Sequence, residues 1–127
     1  MAAARQPRAL VIDDDPGVCQ FVSDLLAEFG FECQTANDGA SGLARFDEGG
    51  WDLVVTDLAM PKMNGWQVIE AIRQRTPRTP IVLVTAYTAP EIVRRAGEYG
   101  VPVVAKPFPI ATLQAAIAEA LDPKPSQ

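Results

Sequence analysis

The sequence predicts an α/β fold, in which one parallel sheet is covered by helices on both faces. Five short apolar runs alternate with stretches of helical spacing, and this alternation is typical of parallel sheets. Three of the runs are unbroken aliphatic segments, as expected of central strands that are buried on both faces. The length of 127 residues and the 48% content of hydrophobic residues indicate one domain with its own core.

The predicted strands fall into a central group and an edge group. The second run has polar side chains at alternate positions, and the fifth contains Pro102, which removes a backbone donor. Both features favour edge strands. The strand order 2-1-3-4-5 places these two runs outermost and describes a flavodoxin-like, doubly wound sheet with five helices. The five runs are residues 10–12, 31–35, 53–55, 81–84 and 101–105.

The first predicted helix has both of its ends marked in the sequence. Asp15 and Pro16 are suited to the N-cap and the first helical position, and Gly30 is suited to the position after the last turn. Between them, apolar residues recur with the spacing of one buried helical stripe. That stripe consists of Val18, Phe21, Val22, Leu25, Leu26 and Phe29.

Two later helices are indicated by similar signals. Thr88 and Glu91 have the spacing of a capping box at the start of a helix that runs through Tyr99. The last helix has a predicted apolar stripe of its own. It consists of Ile110, Leu113, Ile117 and Leu121. We expect residues 8–121 to form the domain, with an N-terminal tail of residues 1–7 and a C-terminal tail or linker stub of residues 122–127.

Composition excludes several kinds of chemistry. The sequence has no histidine, which rules out Ser-His-Asp and Cys-His pairs and histidine-bound zinc within this chain. Cys19 and Cys33 are too far apart for a CxxC motif and suit reduced structural thiols in the cytoplasm. The net charge of −5 argues against direct binding of nucleic acid. We see no signal peptide or membrane span, so we expect a cytoplasmic protein with no membrane partner.

Acidic residues follow two neighbouring strands of the predicted sheet. Strand one leads into Asp13, Asp14 and Asp15, and strand three leads into Asp57. In this fold, ligands bind beyond the carboxyl ends of the strands where the strand order reverses, here between strands one and three. With Asp15 assigned to the helix cap, three carboxylates remain, and their crowding calls for a cation. We predict a site for Mg²⁺, with Mn²⁺ as a possible substitute.

Two further strand ends place polar groups at the same edge of the sheet. Thr85 ends strand four, and Lys106 follows strand five. We expect the Thr85 hydroxyl to be free to hydrogen-bond another group, because Thr88 and Glu91 already account for the next helix cap. A hydroxyl and an ammonium group are suitable donors to the oxygens of a phosphoryl group.

These motifs together resemble the receiver domain of two-component response regulators, over about residues 8–121. The resemblance rests on residues 9–16, 52–65, 84–86 and 106–108. It implies the following roles: Asp57 as phosphoacceptor, Asp14 as direct Mg²⁺ ligand, Asp13 acting on the ion mainly through water, the Ala59 carbonyl as a further ligand, and Thr85 and Lys106 as contacts to the phosphoryl group. It also implies a cis peptide bond between Lys106 and Pro107.

The resemblance implies a signalling switch rather than an enzyme. A sensor histidine kinase or a histidine phosphotransfer protein would donate the phosphoryl group to Asp57, and the change would be read by a downstream protein target. The domain would catalyse its own phosphoryl transfer with Mg²⁺. We expect slow autodephosphorylation, because neither Ala59 nor Tyr87 offers a carboxylate or amide that could orient an attacking water.

Three alternatives remain open at the level of sequence. The chain could be a receiver module of a hybrid kinase or of a longer regulator. A Mg²⁺-dependent aspartyl phosphatase is suggested by the Asp13-x-Asp15 spacing, although the chain is short for that class and Asp15 suits a helix cap. A flavin carrier of flavodoxin type would need a Ser, Thr and Gly phosphate loop after strand one, where this chain has three aspartates.

Overall fold

A computed structural model describes residues 6–121 and shows one five-stranded parallel sheet. The strand order is β2-β1-β3-β4-β5, which confirms the predicted order and both edge strands. The predicted C-terminal tail and residues 1–5 of the predicted N-terminal tail lie outside the described residues. The strands are β1 (Arg8–Ile12), β2 (Glu32–Ala36), β3 (Leu53–Thr56), β4 (Ile81–Thr85) and β5 (Val103–Ala105).

Five helices cover the two faces of the sheet. They are α1 (Pro16–Glu28), α2 (Gly39–Phe46), α3 (Gly65–Arg75), α4 (Pro90–Glu98) and α5 (Ile110–Leu121). Alternate residues of β1 point to opposite faces, so Val11 joins a core cluster with α1 and α5, and Ile12 joins one with α2, α3 and α4. Every residue of β3 and β4 is buried, as expected of central strands. No helix among residues 6–121 is long and apolar enough to cross a bilayer.

The ends of α1 agree with the prediction, but one residue of its stripe does not. The Asp15 side chain accepts hydrogen bonds from the backbone N–H groups of Gly17 and Val18, and Gly30 has a φ of 99°. The prediction that Phe21 is buried is wrong, because its side chain is 51% exposed and lies beside the Phe108 ring. Cys19 occupies the core in its place, since the helix turns this residue towards the sheet.

The predictions for α4 and α5 need two corrections. Thr88 does not cap α4: the helix begins at Pro90, and the residue at the N-cap is Ala89, which makes no side-chain capping bond. In α5, Leu113 and Ile117 are buried, whereas the two outer members of the predicted stripe, Ile110 and Leu121, are 52% and 42% exposed. The buried residues of α5 are therefore confined to the middle of the helix.

The uncapped start of α4 leads to a stability prediction. Replacing Ala89 with serine supplies an oxygen that can accept from the free N–H groups of the first turn. We expect the variant to gain about 1 kcal/mol in its free energy of unfolding. Urea denaturation followed by circular dichroism measures this gain. An unchanged or lower midpoint would show that the loop before Pro90 cannot adopt cap geometry.

Both cysteines are free thiols, as the sequence analysis expected. Cys19 is buried and its Sγ lies 3.3 Å from the carbonyl oxygen of Asp13, which places it directly below the acidic end of the sheet. Burial raises the pKa of each thiol to about 11, and neighbouring carboxylates add to the effect. The reactive thiolate is therefore scarce at neutral pH.

This pKa shift predicts slow modification of the native protein. A pKa that rises from about 9 to about 11 lowers the thiolate fraction at pH 8 roughly a hundredfold. We expect alkylation by iodoacetamide to be slower by at least that factor in buffer than in urea, and to accelerate as the pH rises towards 11. Mass spectrometry of the alkylated chain gives both rates. Equal rates in buffer and in urea would contradict the burial.

Candidate functional site

Three carboxylates meet at the carboxyl end of β1 and β3. The two strands are in register, with Ile12 beside Thr56, and the N–H of Asp57 donates to the Ile12 carbonyl at 2.9 Å. Asp13 and Asp57 therefore leave the sheet side by side. One carboxylate oxygen from each of Asp13, Asp14 and Asp57 lies within 4.8 Å of the others. Asp13 and Asp57 are buried, whereas Asp14 is exposed.

Backbone N–H groups orient the two buried carboxylates. Asp13 Oδ1 accepts from the N–H of Asp15 at 2.9 Å, and Asp57 Oδ1 accepts from the N–H of Leu58 at 2.7 Å. Each bond holds one oxygen of its carboxylate and leaves Oδ2 directed elsewhere. Both Oδ2 atoms face the same side chain, Lys106.

Lys106 reaches this site from the end of β5. Its Nζ lies 2.9 Å from Asp13 Oδ2 and 3.6 Å from Asp57 Oδ2. Burial by itself would lower the pKa of Lys106, but the hydrogen bond and charge of Asp13, with the charge of Asp57, outweigh burial and raise it. Lys106 is therefore a permanent cation at neutral pH.

The pKa of Asp57 is raised above its ordinary value. Burial is the largest cause, and the charge of Asp13 acts in the same direction. The Lys106 ammonium and the N–H groups of Leu58 and Ala59 oppose this shift. The Lys106 ammonium therefore offsets only part of the burial and charge repulsion that disfavour the ionised Asp57. A second cation at the site would offset more of it.

Thr85 ends β4 beside this cluster and is fully buried. Its carbonyl accepts from the N–H of Lys106 at 2.9 Å, so the two side chains leave neighbouring strand ends. The Thr85 hydroxyl takes no part in capping α4, but it makes one local bond: Thr85 Oγ1 accepts from the N–H of Tyr87 at 3.1 Å. This bond uses an oxygen lone pair, so the hydroxyl proton can still be donated to an incoming oxygen.

Two further expectations concern the loops around the site. Ala59 is exposed on the loop that follows Asp57. The peptide bond between Lys106 and Pro107 is cis, as the resemblance implied.

Sequence reasoning missed one residue that shapes the site, Gly65. A Cβ atom at this first position of α3 would collide with the carbonyl oxygen of Asp57, and it would also press on the Cα of Leu58. The N–H of Gly65 donates to the Leu58 carbonyl at 2.8 Å, which closes the loop of residues 57–65 on itself. A glycine directly after a polar N-cap residue such as Asn64 is a weak signal, since many helices tolerate it.

The donor set fits a hard divalent cation. Carboxylate oxygens are the ligands that Mg²⁺ prefers, and one exposed carboxylate leaves the ion access to water. The excess of negative charge over the single Lys106 cation favours such an ion electrostatically. Transition metals that prefer nitrogen or sulfur find no suitable side chain here, since the chain has no histidine and Cys19 points into the core.

Comparison with known proteins identifies the family. Residues 9–118 match the response regulator receiver domain. The probable chemotaxis protein CheY of Rhizobium etli is 34% identical over 121 residues, which cover 92% of this chain and 94% of that protein. Regulatory protein AtoC of Escherichia coli is 35% identical over 115 residues, 90% of this chain but 25% of AtoC. The chain therefore spans about a quarter of the length of that relative.

A solved structure gives the same assignment. Response regulator protein TrrA of Thermotoga maritima, determined in complex with Mg²⁺ and BeF, superposes with a TM-score of 0.81 and 32% sequence identity. The match covers 91% of this chain and 99% of TrrA. Receiver domains bind Mg²⁺ at an acidic pocket, and this chain has a cluster of three aspartates. With the sheet order, the acidic cluster and these matches in agreement, the chain belongs to the response regulator receiver domain family of two-component signalling.

Proposed function

We propose that this chain is a signalling switch in which Asp57 accepts a phosphoryl group from a phosphohistidine. One observation supports the assignment above all others: Asp57 is buried among two further carboxylates and lies 3.6 Å from the Lys106 ammonium. The donor is a sensor histidine kinase or a histidine phosphotransfer protein, because this chain has no histidine of its own. A downstream protein target reads the result.

The metal in this proposal is Mg²⁺, with Mn²⁺ as a substitute. Asp14 and Asp57 would bind it directly, Asp13 mainly through water, and the Ala59 carbonyl would complete the protein ligands. When bound, the ion neutralises charge on the transferring phosphoryl group. The same ion is present in the TrrA structure, in a fold that superposes on this one.

Three side chains of this chain have separate roles in the transfer: Asp57, Lys106 and Thr85. Asp57 Oδ1 is held by the Leu58 N–H, so Oδ2 is the oxygen that attacks phosphorus. A P–O bond forms to Asp57, the P–N bond of the phosphohistidine breaks, and its electron pair returns to the imidazole. The Lys106 ammonium and the Thr85 hydroxyl donate to the phosphoryl oxygens. No further enzyme is needed for the step.

The signal leaves the site through Thr85. Turning its hydroxyl towards the phosphoryl group weakens the bond that Thr85 Oγ1 accepts from the Tyr87 N–H, and this releases the loop of residues 86–89. That loop leads into α4, a short helix with no side-chain cap and with Ala96 as its one fully buried residue among those described. The movement therefore changes a partner surface formed by α4, β5 and α5.

Intact mass spectrometry tests this proposal most directly. Incubation with acetyl phosphate and Mg²⁺ should add one phosphoryl group to the chain, and incubation with EDTA should add none. Rapid release of phosphate from small phosphomonoesters, without a stable phosphoprotein, would favour the aspartyl phosphatase instead. The match to part of AtoC supports a second possibility, a receiver within a longer regulator, whose size in cell extracts would exceed 127 residues.

We also propose the domain limits and surroundings of this switch. Residues 8–121 act as the receiver, in the cytoplasm, and residues 122–127 are a C-terminal tail or a linker stub. The net charge of −5 supports protein partners rather than nucleic acid.

We also propose slow autodephosphorylation, from the residues two positions after Asp57 and two positions after Thr85. Neither Ala59 nor Tyr87 offers a carboxylate or amide that could orient a water for attack on the acyl phosphate, whereas groups that position water accelerate such steps by about 10²–10⁴-fold. We expect Ala59→Asn and Tyr87→Glu to shorten the lifetime of the isolated phosphoprotein roughly tenfold. Loss of the added mass with time in Mg²⁺ measures that lifetime. Slower decay in these polar variants than in the parent chain would contradict the prediction.

A further inference from the structure

We propose that Gly39 and Met63 form a seat that positions the loop of residues 57–65 and, with it, the Ala59 carbonyl. The inference rests on the proposed function, in which that carbonyl is a ligand of the divalent ion. It assigns two positioning residues outside the acidic cluster: one at the start of α2, and one in the loop itself.

The loop is attached firmly at both of its ends. At one end, Asp57 continues the buried strand β3, and at the other the Gly65 N–H is bonded to the Leu58 carbonyl at 2.8 Å. Asn64 and Gln67 complete a reciprocal capping box at the start of α3. Between these ends, Met60 is buried in the core, so the contacts that direct the path of residues 61–63 are the ones still to be identified.

The last part of the loop contacts the start of α2 through Met63. A Cβ atom at Gly39 would lie 2.8 Å from both Cγ and Sδ of Met63, and 2.9 Å from its Cβ. The methionine side chain therefore rests on the bare Cα of a buried glycine. Beside this contact, Lys62 adopts a left-handed φ of 70°, and the Met63 N–H donates to the Pro61 carbonyl at 2.7 Å.

The conformation of α2 does not require a glycine at position 39. It is the first residue of α2, its φ lies outside the left-handed region, and alanine has a higher helix propensity. Asp38 already caps the helix by accepting from the Ser41 N–H at 2.7 Å. The missing side chain matters because it makes room for Met63.

An added methyl group would move the loop as well as the end of a side chain. Rotation can carry Cγ and Sδ of Met63 away, but its Cβ is attached to the backbone, so the loop must shift. Ala59 lies four residues earlier in the same closed loop. Because Mg²⁺ requires near-ideal octahedral geometry, a displaced carbonyl weakens binding even when the three carboxylates stay in place.

A double-mutant cycle on metal affinity tests the seat. The variants are Gly39→Ala, Met63→Gly and the double variant, and the signal of free Mn²⁺ in electron paramagnetic resonance gives the affinity of each without any phosphoryl transfer. We expect each single substitution to weaken Mn²⁺ binding, roughly tenfold for Gly39→Ala. The double variant should bind no more weakly than Met63→Gly, because the Cβ of Met63 is then absent and the alanine methyl at position 39 meets no atom of residue 63 beyond the backbone. Independent losses that multiply would overturn the proposal.

Controls separate this effect from general instability and from failure of the proposed function. Gly97→Ala makes the same change at a helical glycine whose Cβ would meet nothing within 4 Å, and its metal affinity should match the parent. If Gly39→Ala does not fold, unchanged Mn²⁺ binding by Met63→Gly overturns the proposal by itself. If the parent binds Mn²⁺ but takes no phosphoryl group, the proposed function fails while the cycle still measures the seat.

Discussion

Asp57→Asn is expected to abolish phosphoryl incorporation from acetyl phosphate. The amide keeps the shape of the side chain and the hydrogen bond that Oδ1 accepts from the Leu58 N–H, but it removes the nucleophilic oxygen next to Lys106. It also replaces a buried carboxylate whose pKa is raised by burial with a neutral group. We therefore expect a fully folded variant with no added mass in Mg²⁺.

A matched variant makes this result interpretable. Asp47→Asn makes the same chemical change at an exposed carboxylate that pairs with Arg75, and it should be phosphorylated as fast as the parent chain. The measurement is intact mass at several times after mixing. One phosphoryl group on the Asp57→Asn variant at the parent rate would place the acceptor on another residue.

Asp14→Ala is expected to have the second largest effect, on the metal rather than on the nucleophile. Asp14 is the exposed member of the three carboxylates, which leaves it oriented by fewer neighbours than Asp13 or Asp57. Removing it takes away a proposed direct ligand, and we expect the Mg²⁺ concentration for half-maximal labelling to rise at least about tenfold. Without metal, relief of repulsion among the carboxylates should leave the variant at least as stable as the parent.

The neighbouring residue supplies the control for Asp14. Asp15→Ala removes the same charge one position away, but the Asp15 side chain caps the N-terminus of α1. We expect this variant to lose about 1 kcal/mol of stability while its Mg²⁺ requirement changes little. Titration of Mg²⁺ against labelling, together with thermal unfolding with and without the ion, separates ligation from local charge. Equal shifts in both variants would assign the effect to charge alone.

Local sequence patterns are sufficient to predict the sheet and its acidic edge. Unbroken aliphatic runs mark β1, β3 and β4 because strands buried on both faces tolerate no polar side chain. Once the order of the strands follows, the residues after β1 and β3 must lie together, since parallel strands share one carboxyl edge. The sequence alone therefore groups Asp13, Asp14 and Asp57 at one edge of the sheet.

Capping and helix faces were less predictable. Thr88 and Glu91 have the spacing of a capping box, yet α4 begins at Pro90, because the chain from Thr85 runs through a loop held by the Tyr87 N–H. Phe21 has the periodicity of a buried residue but packs beside Phe108 at the surface. Periodicity states which residues share a face, and only the extent of the sheet decides how much of that face is covered.

The sequence by itself determined the strand order, the identity of the acidic residues and the family they resemble, because each depends on residue type and spacing along the chain. Only the tertiary structure shows that the Lys106 ammonium pairs with both Asp13 and Asp57. It also shows which atoms a side chain at Gly39 or Gly65 would meet. Those features arise from contacts between residues that are distant in the chain. Their distances follow from the packing of whole elements, and no local pattern of residues encodes them.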